Sequence, residues 1–120
     1  MHNFKQLKTW QEGIELVLEI YQATKEFPNQ ERFGLVSQMQ RCAVSVPSNI
    51  AEGSGRTTNK SFSHFLDISY GSCCELETQL IIALKLNFIK KLEFQKIQSR
   101  IHIIQKMIFN FKRSLEKKGT

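Results

Sequence analysis

Cationic side chains recur at helical spacing in the last third of the chain. Residues 85–120 contain ten Lys or Arg against two acidic residues, a net charge of +8, whereas residues 1–84 contain seven against nine, a net charge of −2. A row of cations on one helix face can neutralise backbone phosphates, which gives salt-dependent and largely sequence-independent binding. The candidate nucleic-acid-binding residues are Lys96, Arg100, Lys106, Lys112, Arg113 and Lys117.

The alternative interpretation of this stripe is a solvated helix face that is rich in lysine. Solvated faces usually carry interspersed acidic residues, and this segment has only Glu93 and Glu116. Both interpretations stay open. No aromatic residue is identified in the stripe, so stacking of unpaired bases is not predicted.

A second polar stripe follows the segment around Pro47, where Arg41, Ser45, Asn49 and Glu52 recur at spacings of three and four. Ser and Asn are poor choices for the exposed interior of a helix. One interpretation is that Ser45 and Asn49 satisfy backbone groups that the proline leaves without a partner. Another is a hydrogen-bond network between subunits, with Arg41 paired to Glu52 across it. A structural role is favoured over a ligand site, because the stripe offers no charge match for a ligand.

The histidines and cysteines give no catalytic or metal-binding pattern. None of His2, His64 and His102 follows a glutamate by three residues, the spacing that di-iron helical bundles use. His64 and Asp67 lie three apart, and an exposed ion pair explains them better than a catalytic dyad. The three cysteines form no C-x-x-C pair and are interpreted as small buried residues. We therefore expect no enzymatic activity, no metal and no cofactor.

The elements that would position these stripes are four helices, which hydrophobic periodicity predicts at about residues 5–26, 30–53, 58–87 and 91–117. Short connections make successive helices antiparallel. The prediction is an all-α, up-down-up-down four-helix bundle that forms one domain over residues 1–120.

One apolar face in each predicted helix is built from residues spaced three and four apart. The first face comprises Leu7, Trp10, Ile14, Val17, Tyr21 and Thr24. The second comprises Val36, Met39, Ala43, Val46 and Ile50. The third comprises Phe62, Leu66, Ser69, Cys73, Leu76, Leu80 and Ala83. The fourth comprises Phe94, Ile97, Ile101, Ile104, Ile108, Phe111 and Leu115.

The predicted helix ends rest on single residues with special backbone preferences. Asn29 is the predicted N-cap of the second helix, and Thr57 or Thr58 that of the third. Asn87 is expected to end the third helix in a left-handed conformation. Pro47 is expected to bend or end the second helix, because proline lacks an N–H group.

Some apolar residues fall outside the four faces, namely Leu16, Leu18, Ile20, Ile103 and Met107. A second contact surface, most simply a neighbouring subunit, would cover such residues. A wider stripe facing the core would also account for them. Both alternatives stay open.

The sequence carries no signal for membrane insertion or secretion. No apolar run approaches the length needed to span a bilayer. The N-terminal segment lacks the uninterrupted apolar core of a signal peptide. We therefore expect a cytoplasmic protein with no membrane partner.

The segment RCAVSVPSNIAEG, residues 41–53, resembles the signature of the bacterial four-helix bundle family, also called 23S rRNA intervening-sequence proteins. Further matches are Leu7-x-x-Trp10-Gln11, Phe27-Pro28-x-x-Glu31-x-Phe33-Gly34-Leu35 and Gly71-Ser72-x-x-Glu75-Leu76-x-Thr78-Gln79-Leu80. Two departures are small: Cys42 stands where the family often has alanine, and Asn87-Phe88-Ile89 replaces a common Gly-Tyr-Ile.

The resemblance implies genes often lodged in intervening sequences of large-subunit ribosomal RNA, with no established enzymatic activity. The family includes relatives of the accessory protein of diversity-generating retroelements. Those relatives are barrel-shaped homopentamers that bind nucleic acid and a reverse transcriptase. The resemblance therefore implies a homo-oligomer, with five as the subunit number, and RNA or DNA and a reverse transcriptase as candidate partners.

The leading hypothesis is a non-enzymatic, homo-oligomeric protein that binds nucleic acid through the basic face of its fourth helix. Lys106, Arg113 and Lys117 would contact phosphates. The rival hypothesis is a protein–protein adaptor or structural module whose lysines only keep it solvated.

Overall fold

Helices account for most of the chain that the structure describes. The computed structural model describes residues 3–118, so residues 1, 2, 119 and 120, and with them the His2 of the metal prediction, lie outside the described part. Helix α1 is Lys8–Thr24, α2 is Leu35–Ser54, α3 is Asn59–Lys85 and α4 is Lys91–Lys118. Single 3-10 turns, Phe4–Gln6 and Asn29–Glu31, precede α1 and α2.

The four helices close into a ring in which each packs against two neighbours. α1 contacts α2 and α4, and α3 contacts the same two helices. Short connections reverse the chain between successive helices. No strand occurs within residues 3–118. The predicted all-α four-helix bundle is confirmed. No helix in this part of the chain is long and apolar enough to cross a membrane.

The apolar faces predicted for α2, α3 and α4 form most of the core, and α1 supplies the rest. Every residue of the α2 and α3 faces is buried, and so are those of α4 except Phe111, which packs against the core while partly exposed. Branched and aromatic side chains spaced three and four apart thus identify the buried side of each of these helices. Burial of this apolar area is the main term that stabilises the bundle.

The predicted core face of α1 is only partly right: Thr24 is buried and Leu7, Trp10 and Val17 pack against the core while partly exposed, but the buried side is wider. Leu16 and Ile20, which the prediction left outside the face, are fully buried, whereas Tyr21 is exposed. The buried face also contains Gly13 and Ala23. These residues have little or no side chain, so they give little hydrophobic signal. The small size of Gly13 lets α1 approach α2 closely. Of the remaining unassigned apolar residues, Leu18 and Ile103 are exposed and Met107 is half-buried.

Pro47 lies inside α2 and does not end it. The proline ring is buried against α1 at Gly13, where an added Cβ would lie 3.1 Å from the Pro47 Cβ atom. Proline removes one backbone donor from the helix, the one that would reach the Ala43 carbonyl. The glycine on α1 makes room for the ring, so the pair fixes how α1 and α2 pack.

The start of α2 was predicted too early, at residue 30 with Asn29 as the N-cap. Residues 29–31 instead form a 3-10 turn, and α2 begins at Leu35. The Glu31 carboxylate accepts a hydrogen bond from the Leu35 N–H at 3.3 Å, so it satisfies a free donor at the helix start.

The predicted ends of α3 are confirmed. Thr58 caps its start and accepts a hydrogen bond from the Ser61 N–H at 3.1 Å. Asn87 follows its last turn with a φ of 63°. The Phe88 N–H donates to the Ala83 carbonyl at 2.9 Å and the Asn87 N–H to the Leu84 carbonyl at 3.0 Å, the double hydrogen bond of a Schellman cap.

Candidate nucleic-acid interface

The outer face of α4, defined here as Lys106, Asn110, Arg113 and Lys117, points away from the bundle. All four side chains are exposed, while Ile104 and Ile108 on the opposite side of the helix are buried. Among residues 3–118, no side chain forms a hydrogen bond or ion pair with Lys106 or Lys117. A shallow depression on this face is lined by Asn110, Arg113, Ser114 and Lys117. The outer face therefore presents cations that the bundle itself does not neutralise.

Arg100, one of the six candidate residues, is instead held by α1. Its Nε atom donates to Glu19 at 2.7 Å, and a terminal nitrogen donates to Glu12. Partial burial alone would lower the pKa of Arg100, but the hydrogen bonds and negative charges of Glu19 and Glu12 outweigh it, and the pKa is raised. The Arg100 side chain is 26% exposed, and two of its three guanidinium nitrogens bond to carboxylates of α1, so it fastens α4 to α1.

Lys112 is held by the other neighbour of α4. Its ammonium group pairs with Asp67 on α3. The predicted ion pair between His64 and Asp67 is therefore wrong: Asp67 faces Lys112, and the His64 ring lies beside Phe65 with 5.6 Å between centroids. Lys96 is intermediate between the paired cations and the exposed ones. Its Nζ atom is 3.8 Å from Glu19, but 73% of the side chain is exposed.

A second contact between α3 and α4 involves His102. Its Nε2 atom lies 2.7 Å from the Glu77 carboxylate, which also accepts a hydrogen bond from Gln98 at 3.0 Å. The acidic residues of α1 and α3 thus neutralise the cations on both flanks of α4. The cations of the outer face, with Lys96 at its edge, stay open to solvent, as do Lys90 and Lys91 at the start of α4.

Phe109 is a component of this surface that the sequence prediction missed. Its side chain is 56% exposed, and the Arg113 guanidinium lies 5.9 Å from the centre of its ring. Phe109 follows Lys106 by three residues and precedes Arg113 by four, so the helical spacing contained the signal. The prediction considered only aromatic residues within the stripe and so overlooked Phe109, which lies beside it.

The polar stripe of α2 faces α3. The hydroxyls of Ser45 and Ser72 lie 2.8 Å apart, and the Asn49 amide donates to the Ser45 carbonyl at 2.8 Å and to the Ser45 hydroxyl at 2.9 Å. Asn49 therefore satisfies the Ser45 carbonyl, not the Ala43 carbonyl that loses its donor at Pro47. These bonds close a small hydrogen-bond network inside one chain.

The two charged members of that stripe are not paired with each other within the chain. Glu52 forms an exposed ion pair with Arg56 one turn later, at 3.0 Å. Arg41 is exposed at the edge of α2. Pairing of Arg41 with Glu52 between subunits stays a prediction.

The cysteines divide into two kinds. Cys42 and Cys73 are buried, as predicted, but Cys74 is exposed, which the prediction missed. Burial, with smaller contributions from Cys74 and Glu77, raises the pKa of the Cys73 thiol to about 12. Burial also raises the pKa of Cys42. Among residues 3–118, no group of three or more His, Cys, Asp or Glu is placed to hold a metal ion.

Comparison with known proteins identifies the family. Residues 5–110 match the family described as 23S rRNA-intervening sequence protein. A solved structure from Bacteroides thetaiotaomicron, a protein of unknown function in the S23 ribosomal protein family, is similar with a TM-score of 0.81 and 20% sequence identity. The similarity covers 88% of this chain and 95% of that one, and it shows the shared fold. No curated protein matches the sequence. The chain belongs to the 23S rRNA-intervening sequence protein family.

Proposed function

We propose that this protein is a non-enzymatic, homo-oligomeric nucleic-acid-binding protein that holds backbone phosphates on the outer face of α4. The single observation that carries the proposal is that the cations of α4 divide into two groups, those paired with acidic residues of the bundle and those exposed without such a partner. Arg100 forms an ion pair with an acidic residue of α1, and Lys112 forms one with an acidic residue of α3. Lys106, Arg113 and Lys117 share one solvent-exposed arc.

The spacing of these three cations suits a polymer of negative charges. Lys106, Arg113 and Lys117 are separated by seven and four residues, which corresponds to about 10 Å and 6 Å along the helix axis. Their positive field is not cancelled locally, because Glu116 is the one acidic residue in the last two turns of the sequence of α4. Such a row binds phosphates through charge and has no means of reading base sequence.

The proposed self-association rests on a different part of the surface. Where α2 and α4 begin and α3 has ended, Phe33 is 87% exposed, Leu92 is 81% exposed and Leu86 is also exposed. Leu18 on α1 adds to the exposed apolar area. The grouping of Phe33, Leu86 and Leu92 at one end of the bundle supports the proposal of a subunit contact there. We put the number of subunits at five, as the family resemblance implies. An oligomer would also repeat the cationic face and strengthen binding through multivalency.

The proposal is tested by titrating labelled RNA and DNA, each as a single strand and as a duplex, with the native protein at low salt. The test variant carries Lys106→Glu, Arg113→Glu and Lys117→Glu. The matched control carries Lys5→Glu, Lys8→Glu and Lys25→Glu, three exposed lysines outside α4. Both variants lower the net charge from +6 to zero, so a difference between them reports position and not total charge.

We expect the native protein and the control to bind, and the α4 variant to bind at least about 20-fold more weakly, since three phosphate contacts are replaced by repulsion. Absence of binding by the native protein at low salt would overturn the proposal. Equal loss in both variants would show that only net charge matters, which would also contradict the assigned face.

A protein–protein adaptor is the second candidate function, and the exposed apolar residues Phe33, Leu86 and Leu92 favour it. An adaptor would bind no polyanion, and its partner would cover those residues. Light scattering of Phe33→Ser and Leu92→Ser variants distinguishes the two functions. Loss of self-association in these variants supports the homo-oligomer, whereas a native protein that is monomeric at all concentrations favours the adaptor.

A further inference from the structure

The outer face of α4 carries an exposed aromatic ring among its cations. α4 contains three phenylalanines, of which Phe94 is buried and Phe111 packs edge-on against Phe62 of the core at 5.2 Å. Phe109 alone among the three leaves more than half of its surface in solvent. The exposed ring adds little to the core, and its position beside Lys106 and Arg113 places an aromatic face among the cations.

We infer that Phe109 is a stacking platform for an unpaired base, so that the polyanion held by α4 is single-stranded nucleic acid. The inference rests on the proposed function and specifies its substrate. Single-strand-binding surfaces combine cations that hold the backbone with aromatic rings on which bases stack. Because every base has a π-face, such a platform tolerates any sequence.

The cations are placed to hold a strand on both sides of the ring. Lys106 lies one turn before Phe109 and Arg113 one turn after it, each about 5 to 6 Å along the helix axis. The Arg113 guanidinium is 5.9 Å from the ring centre, close enough for a cation–π contact that orients both groups. A strand whose base lies on the ring would therefore have its neighbouring phosphates near these two cations.

The acidic residues near the ring do not cancel this arrangement. Asp67 on α3 is neutralised by Lys112, and Glu77 is engaged by His102 and Gln98. Glu116 is exposed two turns beyond Phe109 and is outnumbered by Lys106, Arg113 and Lys117. The surroundings of the ring are positive overall.

A duplex cannot use this platform, because its bases are already stacked and paired inside the helix. A duplex would meet only the cations. Removing the ring should therefore weaken single-strand binding and leave duplex binding unchanged, which separates stacking from charge.

The experiment measures fluorescence anisotropy of labelled single-stranded RNA, single-stranded DNA and the matching duplexes with the native protein, Phe109→Ala, Phe109→Leu and Phe109→Trp. Phe109→Leu keeps an apolar side chain but has no ring, and Phe109→Trp keeps a ring. Ile103→Ala is the control, since Ile103 is an exposed apolar residue on the same helix. Circular dichroism checks that each variant is folded.

We expect Phe109→Ala and Phe109→Leu to weaken single-strand binding by about 5- to 150-fold, the range for loss of one stacked base. Phe109→Trp and Ile103→Ala should bind like the native protein, and duplex affinity should not change in any variant. Equal affinities of Phe109→Ala and the native protein for single strands, or equal weakening toward both forms, would overturn the stacking role while leaving the proposed function intact. If the native protein binds neither form, both are overturned.

Discussion

The polar stripe of α2 and the outer face of α4 have the same helical spacing, but their side chains lie in different surroundings. On α2, Ser45 and Asn49 are half-buried and bond to each other, and the Ser45 hydroxyl also bonds to Ser72 of α3. On α4, Lys106 and Lys117 extend into solvent with no partner among residues 3–118. The short polar residues of the α2 stripe serve packing within the bundle, whereas the cations of the outer face of α4 have no such role.

The difference follows from side-chain length and from what the neighbouring helix offers. Ser and Asn are short, so at an interaxial distance of about 8 to 10 Å they reach only groups on the adjacent helix or their own backbone. Lys and Arg reach several ångströms further and keep their charged ends in water. Where α1 or α3 supplies a carboxylate, as Glu19 does for Arg100, the cation becomes structural.

The largest difference in stability is expected between two variants of α4, Arg100→Met and Lys106→Met. Arg100 holds two partly buried carboxylates, Glu12 and Glu19, and hydrogen bonds to charged groups contribute about 1.5 to 3 kcal/mol. Arg100→Met should lower the free energy of unfolding in urea by about that amount. Lys106→Met should change it by less than about 0.5 kcal/mol. Equal stabilities of the two variants would contradict the division of the α4 cations into structural and free.

The close packing of α2 against α3 is tested by comparing the stabilities of Gly53→Ala and Gly71→Ala. An added Cβ at Gly53 would lie 2.8 Å from the Phe62 ring and from the Phe65 Cβ, whereas at Gly71 it meets nothing within 4 Å. Gly53→Ala should therefore destabilise the protein by about 1 to 3 kcal/mol. Gly71→Ala should stabilise it by about 0.5 to 1 kcal/mol through helix propensity.

Both glycine variants are measured by urea unfolding at several protein concentrations. A destabilising Gly71→Ala whose effect depends on concentration would place that glycine in a subunit contact. An unchanged midpoint for Gly53→Ala would contradict the close packing of α2 on α3.

The smallest effect is expected from the hydroxyl pair of the α2 stripe. Ser45→Ala, Ser72→Ala and the double variant form a cycle in which the helix-propensity changes cancel. The coupling free energy should be about 0.5 to 1.5 kcal/mol, the usual net value of one hydrogen bond. Nucleic-acid affinity should be the same in all four proteins. Two results would contradict a purely structural role of the hydroxyl pair. One is that the stability changes of the two single variants add up to that of the double variant, and the other is weaker nucleic-acid binding by the double variant.

Sequence patterns predicted the core best where large side chains form it. The faces of α3 and α4, built around residues such as Leu66 and Ile104, are as predicted. The face of α1 was predicted only in part because Gly13 and Ala23 belong to it and carry little hydrophobic signal. The start of α2 was misplaced because Glu31 caps the helix from a 3-10 turn, a contact that periodicity does not encode.

The candidate site was only partly predictable, because ion pairs between helices depend on residues far apart in sequence. Arg100 meets Glu19 across 81 residues, and Lys112 meets Asp67 across 45. Helical spacing places Arg100 and Lys112 at the sides of α4, away from Lys106 and Lys117. It does not show that a carboxylate of another helix lies opposite them. Phe109 was a different case, because its position one turn from Lys106 was visible in the sequence.

The salt dependence of single-stranded nucleic-acid binding tests the central claim most directly. With three phosphates neutralised per chain by Lys106, Arg113 and Lys117, the logarithm of the affinity should fall with the logarithm of salt concentration with a slope of about −2 per chain engaged. The variant with all three changed to Gln should lose most of that slope. A native slope near zero, or an unchanged slope in the triple variant, would contradict the assignment of the outer face of α4 as the phosphate-binding surface.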